Sequence, residues 1–152
     1  MGLESTIVSF LEQSPVLLRP GGISLEKIES VIGTVRLNPS EEITPLSPGR
    51  LPSHYAPKTP LIITDDSAAL SLHYRVGFLS FSSNCNADLY AAIEILSKSG
   101  DLDEVASNLY AAIQRLDNLN LDMIVTTSVV NEGIGKAIND RLLRASRNKG
   151  TV

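Results

Sequence analysis

The second half of this chain predicts an α/β domain with a mostly parallel sheet and flanking helices. Three observations carry that. Residues 61–65 (LIITD), 76–82 (VGFLSFS) and 123–127 (MIVTT) read as short strands, and 76–82 is apolar on both faces as buried parallel strands are. They alternate with helical stripes at residues 101–116 and 136–146, and strand–helix alternation is the signature of a parallel sheet with helices on its faces. Upstream, residues 39–60 hold six of the eight prolines and show no apolar periodicity, so they separate this domain from an earlier block.

That earlier block, residues 1–38, contains two strand-like runs, 5–10 (STIVSF) and 15–18 (PVLL). Arg19, Pro20, Gly21 and Gly22 then turn the chain. Ser24 is a good N-cap, and Leu25, Ile28, Val31 and Ile32 follow at helical spacing up to Gly33. Two strands and one short helix do not bury a core of their own, so the block reads as the tail of a larger domain.

In the later block, residues 66–74 read as a short helix or turn. Residues 89–96 suit either a helix or a third strand, with Ile93, Ile95 and Leu96 favouring strand in the second half. The link into that strand is near the minimum for a parallel crossover. The helix after it is the clearest: Asp101 caps it, Glu104 completes a capping box, and Leu102, Val105, Leu109, Ala112, Ile113 and Leu116 form one stripe. Asn131, Glu132, Gly133, Ile134 and Gly135 form a glycine turn. The last helix starts at Lys136, with Ala137, Ile138, Leu142 and Ala145 inward.

Composition narrows the function. The 152 residues carry a net charge of −4 and a pI near 5.1, so no basic field grips a nucleic-acid backbone. Cys85 is the only cysteine, which excludes an internal disulfide and fits a reducing cytoplasm. No apolar run approaches the ~20 residues of a membrane span, and the first residues lack the pattern of a secretory leader. His54 and His73 have no ligand spacing, so no protein-built metal site is expected. No serine sits on a nucleophile elbow.

Four features could carry chemistry. Arg19 on a Pro-Gly-Gly turn suits bidentate phosphate contact, or is a surface arginine at a strand end. The strand and glycine turn leading to Lys136 is either an anion site or tight turn geometry; Ala137 stands where a Walker motif needs Ser or Thr. Arg141, Arg144 and Arg147 either touch RNA or complement a helix C-terminus. His54 and Tyr55, set among stiffening prolines, belong to a rigid spacer or to a strap over a site.

Three motifs occur in one order: GLESTIV at residues 2–8, PVLLRPGGI at 15–23, and SPG at 47–49 followed by HYAPK at 54–58. Together with Leu116, Asp117 and the run NEGIGKAI before Arg141, they resemble the second half of the Sua5 branch of the Sua5/YciO/YrdC family, the threonylcarbamoyl-AMP synthases. The resemblance implies residues 1–38 as the end of a YrdC-like α+β catalytic domain, 39–60 as a Pro-rich linker, and 61–152 as a Rossmann-like Sua5 domain. It implies synthesis of L-threonylcarbamoyladenylate from L-threonine, bicarbonate and ATP, with Mg²⁺ carried by the nucleotide, in the cytoplasm and away from membranes. The product feeds the t6A modification of tRNA, an indirect link to tRNA. By the same resemblance Ser5 contacts threonine, and Arg19, His54 and Tyr55 lie on the ATP side. The catalytic residues are expected upstream of Met1, in the N-terminal YrdC domain, and the fragment alone is expected to be inactive. The alternative is a free-standing regulatory α/β module that binds a nucleotide or a protein.

Overall fold

The computed structural model describes residues 3–38 and 56–147. The first of these stretches folds as β1 (Ile7–Ser9), β2 (Val16–Arg19), α1 (Leu25–Ile32) and β3 (Arg36–Leu37). β1 and β2 are antiparallel, and β3 adds to the other edge of β2 in parallel, giving a small mixed sheet. The sequence gives no warning of β3, because two residues are too few to show alternation. Its pairing is secured by the Arg36 N–H donating to the Pro15 carbonyl at 2.8 Å. α1 starts as expected, with the Ser24 hydroxyl accepting from the Lys27 N–H. Its apolar side packs on the sheet through Leu25, Leu17 and Val35, with Val8 and Ile28 beside them.

The second stretch contains β4 (Leu61–Ile63), α2 (Ser67–Ser71), β5 (Val76–Ser80), β6 (Ala92–Ile95), α3 (Leu102–Asp117), β7 (Met123–Thr126) and α4 (Gly135–Ser146). Its four strands run in the order β4-β7-β5-β6, and every pairing is parallel. The ambiguous stretch divides into a 3-10 turn at Ala87–Leu89 and the strand β6. Residues 81–91, with the 3-10 turn among them, carry the chain back along the sheet so that β6 runs parallel beside β5.

Registers assign the sheet faces. Leu61, Ile124 and Leu79 share a core with Leu109, Ile113 and Leu116 of α3 and with Ile138, Leu142 and Ala145 of α4. Each fully buried leucine there contributes about 1.5–3 kcal/mol relative to exposure. The opposite face carries Phe78, which stacks on Tyr90 with ring centroids 4.6 Å apart. The Tyr90 hydroxyl meets Ser67 at the start of α2, at 2.7 Å. Helices therefore flank both faces, as the alternating pattern requires.

The start of α3 differs from a simple capping box. Asp101 Oδ1 accepts the Glu104 N–H at 2.8 Å as expected. The Glu104 carboxylate accepts instead from the Ser97 hydroxyl at 2.5 Å, and Ser97 Oγ accepts the Asp101 N–H at 3.0 Å. Ser97, almost wholly buried, stands between cap and carboxylate as a relay.

A strand and turn that join two segments

The two candidate ligand residues in the first segment lie in one hydrogen-bonded unit. Arg19 ends β2 and is 92% buried, at 8% relative exposure, so it is no surface arginine. Its Nε and Nη2 both donate to the carbonyl oxygen of Ser5, at 3.1 and 3.0 Å. The Ser5 residue itself is exposed. The next turn is stitched to the same segment ahead of β1: the Gly22 N–H donates to the Glu4 carbonyl at 3.0 Å. Thr6 Oγ1 donates to the Ile23 carbonyl at 2.7 Å and accepts the Ile23 N–H at 3.1 Å.

Gly21 is needed for this approach. A Cβ there would sit 2.3 Å from the Glu4 carbonyl oxygen and 2.4 Å from the Thr6 nitrogen, both backbone atoms that have no rotamer to yield. GLESTIV and RPGGI are thus two sides of one compact motif. It sets an exposed serine residue next to a guanidinium fixed on that residue's own carbonyl.

The other sequence candidates distribute differently. His54 and Tyr55 lie outside the described residues. His73 is exposed just beyond α2 and belongs to a different part of the fold. The glycine turn before α4 is not an open anion cradle: Lys136 Nζ donates to Glu26 of α1 at 2.6 Å, which holds the Glu26 carboxyl down at about 2. Gly135 sits where a Cβ would lie 2.1 Å from the Val130 carbonyl oxygen, so close backbone packing accounts for it. Asn139 fixes the same loop, accepting from the Val129 N–H and donating to the Val129 carbonyl. The arginine series does not form a phosphate-facing row either. Arg141 is buried, and Arg144 makes a two-pronged contact with Asp140, at 2.8 and 3.3 Å. Among the described residues no group of three or more His, Cys, Asp or Glu side chains could hold a metal ion, and no helix is long and apolar enough to cross a membrane.

Sequence reasoning quoted Asp117 but gave it no job. Its carboxylate closes α3 and accepts the backbone N–H groups of Thr59 at 2.7 Å and Lys58 at 3.1 Å, where the proline-rich stretch meets β4. Burial pushes the Asp117 carboxyl up, but the Thr59 and Lys58 N–H groups, the Thr59 hydroxyl and the Lys58 charge outweigh it, and the carboxyl is held below its ordinary range. A signal existed: a carboxylate in the last turn of a helix opposes the helix dipole, so something local must offset it.

Fold and site define an α/β protein: a four-stranded parallel sheet, preceded by a small mixed sheet that presents a serine–arginine unit. Residues 23–147 match the family described as threonylcarbamoyl-AMP synthase, C-terminal domain, and the chain belongs to that family. It is 36% identical over 160 residues to the threonylcarbamoyl-AMP synthase of Bacillus subtilis, and 32% identical over 163 residues to that of Pyrococcus abyssi. Each match covers 96% of this chain and 46% of the relative, so the chain spans about half the length of the curated relatives it matches. Among solved structures, P. abyssi Sua5 complexed with L-threonine superposes with a TM-score of 0.79 at 31% identity, covering 95% of this chain and 46% of that one. A variant of the same protein, with a histidine and the following tyrosine replaced by alanine, gives 0.75 at 30% identity over 95% and 45%.

Proposed function

We propose that this chain supplies the C-terminal portion of a threonylcarbamoyl-AMP synthase, which joins L-threonine, bicarbonate and ATP into L-threonylcarbamoyladenylate. Residues 1–38 are then the end of the YrdC-like catalytic domain, 39–60 the linker, and 61–152 the Sua5 domain. The observation that carries this reading is the Ser5–Arg19 unit: the residues assigned to threonine and to ATP are held together by two hydrogen bonds, with the serine residue exposed. A second support is the incompleteness of the first segment. Its buried core is Leu17, Leu25 and Val35, while Phe10, Leu11, Val31 and Leu37 stand exposed, which suits a surface completed by the rest of a domain.

In this reading a carbamate oxygen formed on threonine attacks the α-phosphorus of ATP, and pyrophosphate leaves. The barrier is charge on phosphate, so cations and positioning do the work, with Mg²⁺ entering on the nucleotide. Ser5 orients threonine. Arg19 faces the nucleotide, and its bonds to the Ser5 carbonyl tie the two substrates' contacts to one geometry. His54 and Tyr55 close over the nucleotide from the linker, keeping water from a mixed anhydride that hydrolyses readily.

The test is pyrophosphate release with ATP, L-threonine and bicarbonate. The chain alone should release none. Adding the N-terminal part of the B. subtilis relative, which this chain does not cover, should start turnover, and Tyr55→Ala should reduce it. Steady release by the chain alone would overturn the division of labour. Nucleotide binding retained by residues 61–152, with no turnover in the mixture, would favour a regulatory module instead.

A further inference from the structure

The serine–arginine unit is fastened to the C-terminal domain at two points. Leu3, two residues before Ser5, packs against the core formed by α3, α4 and the parallel sheet. The turn after Arg19 sits on the start of α4: Thr6, Leu17, Pro20, Gly21, Ile23 and Leu25 close against Gly133, Lys136 and Ala137, leaving a cavity of only about 10 Å³. That is too small to serve as a ligand site, so the contact is a packed joint. The Lys136–Glu26 pair closes its outer edge and connects residues 110 positions apart in sequence.

We infer that the C-terminal domain is the seat that sets the position of the threonine- and ATP-side residues, with Leu3 and Lys136 as positioning residues for Ser5 and Arg19. Backbone bonds transmit the position. Leu3 fixes the segment just ahead of Ser5, Glu4 and Thr6 bind the turn, and Arg19 binds the Ser5 carbonyl. The exposed ion pair contributes little stability itself. Its role is selective: opposite charges favour one register of the turn on α4, and like charges oppose it. Glu26 faces a groove of about 460 Å³, so charge reversal there meets open space and not a packed core. The ligand roles of Ser5 and Arg19 rest on the function proposed above. The joint does not.

The experiment follows the Gly21 and Gly22 amides and the Arg19 Nε–H by nitrogen-15 NMR in the full chain. Glu26→Lys and Lys136→Glu should each shift these signals, and the double reversal should return them. Leu3→Ala should move the Ser5 amide together with signals of the core it packs on. In the active mixture, Lys136→Glu should raise the threonine KM several-fold with kcat nearly constant, and Lys136→Arg should restore it. If single reversals leave the signals in place, or the double reversal does not rescue them, the joint has no positioning role. If the signals respond while the mixture makes no pyrophosphate, the joint stands and the synthase assignment falls.

Discussion

Removing the Asp117 carboxylate tests how the proline-rich stretch is attached to the C-terminal domain. Asp117 accepts two backbone N–H groups, from Thr59 at 2.7 Å and Lys58 at 3.1 Å. Hydrogen bonds to a charged acceptor contribute about 1.5–3 kcal/mol each, and partial exposure places these at the lower end. Against that, a negative charge in the last helical turn costs about 0.3–1 kcal/mol, which alanine would relieve. The difference leaves Asp117→Ala about 2 kcal/mol less stable, or roughly 4–8 °C lower in Tm for a chain of this size. Asp117→Asn keeps one acceptor but turns an amide N–H₂ towards a donor, so it should lose about half as much. The pH dependence has a definite sign. The folded carboxyl is held below its unfolded value of 3.8, so its stabilisation is fully present above that pH and is lost as pH falls through the lower folded value. Urea unfolding of wild type and Asp117→Ala between pH 3 and 7, read with Lys58 and Thr59 amide exchange, measures both effects. Equal midpoints at pH 7, or unprotected Thr59 in the wild type, would refute the anchoring argument.

Two further substitutions probe packing within the C-terminal domain. Gly135→Ala places a methyl 2.1 Å from the Val130 carbonyl oxygen, so α4 must shift; about 1–3 kcal/mol of destabilisation and displaced Asn139 and Val129 NMR signals are expected. Ser97→Ala removes the relay between Glu104 and the Asp101 N–H in a buried setting; a loss of about 1–3 kcal/mol, seen as a lower urea midpoint with earlier exchange at the start of α3, is the expected outcome.

Periodicity carried most of the fold. The α3 stripe from Leu102 to Leu116 and the alternation of aliphatic runs with helices are local patterns, and the four-stranded parallel sheet follows from them. Strand order is not local: β7 slips between β4 and β5 because β6 must return across the sheet through α3, and no residue in β7 announces it. The relay at Ser97 was hidden for the same reason. Asp101 and Glu104 have the spacing of a capping box, and only the fold brings the end of β6 into the gap between them. Arg19 drew notice by residue type on its Pro-Gly-Gly turn, and Ser5 by the resemblance alone. Their mutual bond was not legible, since the guanidinium contacts a carbonyl, a group every residue owns.

The two glycine motifs show where reading each motif by itself misleads. A Pro-Gly-Gly turn and a glycine turn leading into a helix both have the backbone freedom of phosphate cradles. Glycine serves equally wherever two backbones must approach closely, and here each motif has such a neighbour: Gly21 against residues 4–6, Gly135 against Val130. The turns then pack against one another, and Lys136, the residue that would complete an anion site, pairs with Glu26. Arg19 escapes this argument. Its Nε and Nη2 both donate to the Ser5 carbonyl, which holds the guanidinium beside an exposed serine residue. If Arg19 served only to hold that carbonyl, a smaller donor would serve nearly as well. Arg19→Lys should then leave threonine and ATP kinetics in the active mixture unchanged. A bidentate role towards the nucleotide predicts instead a raised ATP KM, because an ammonium cannot reproduce the fork.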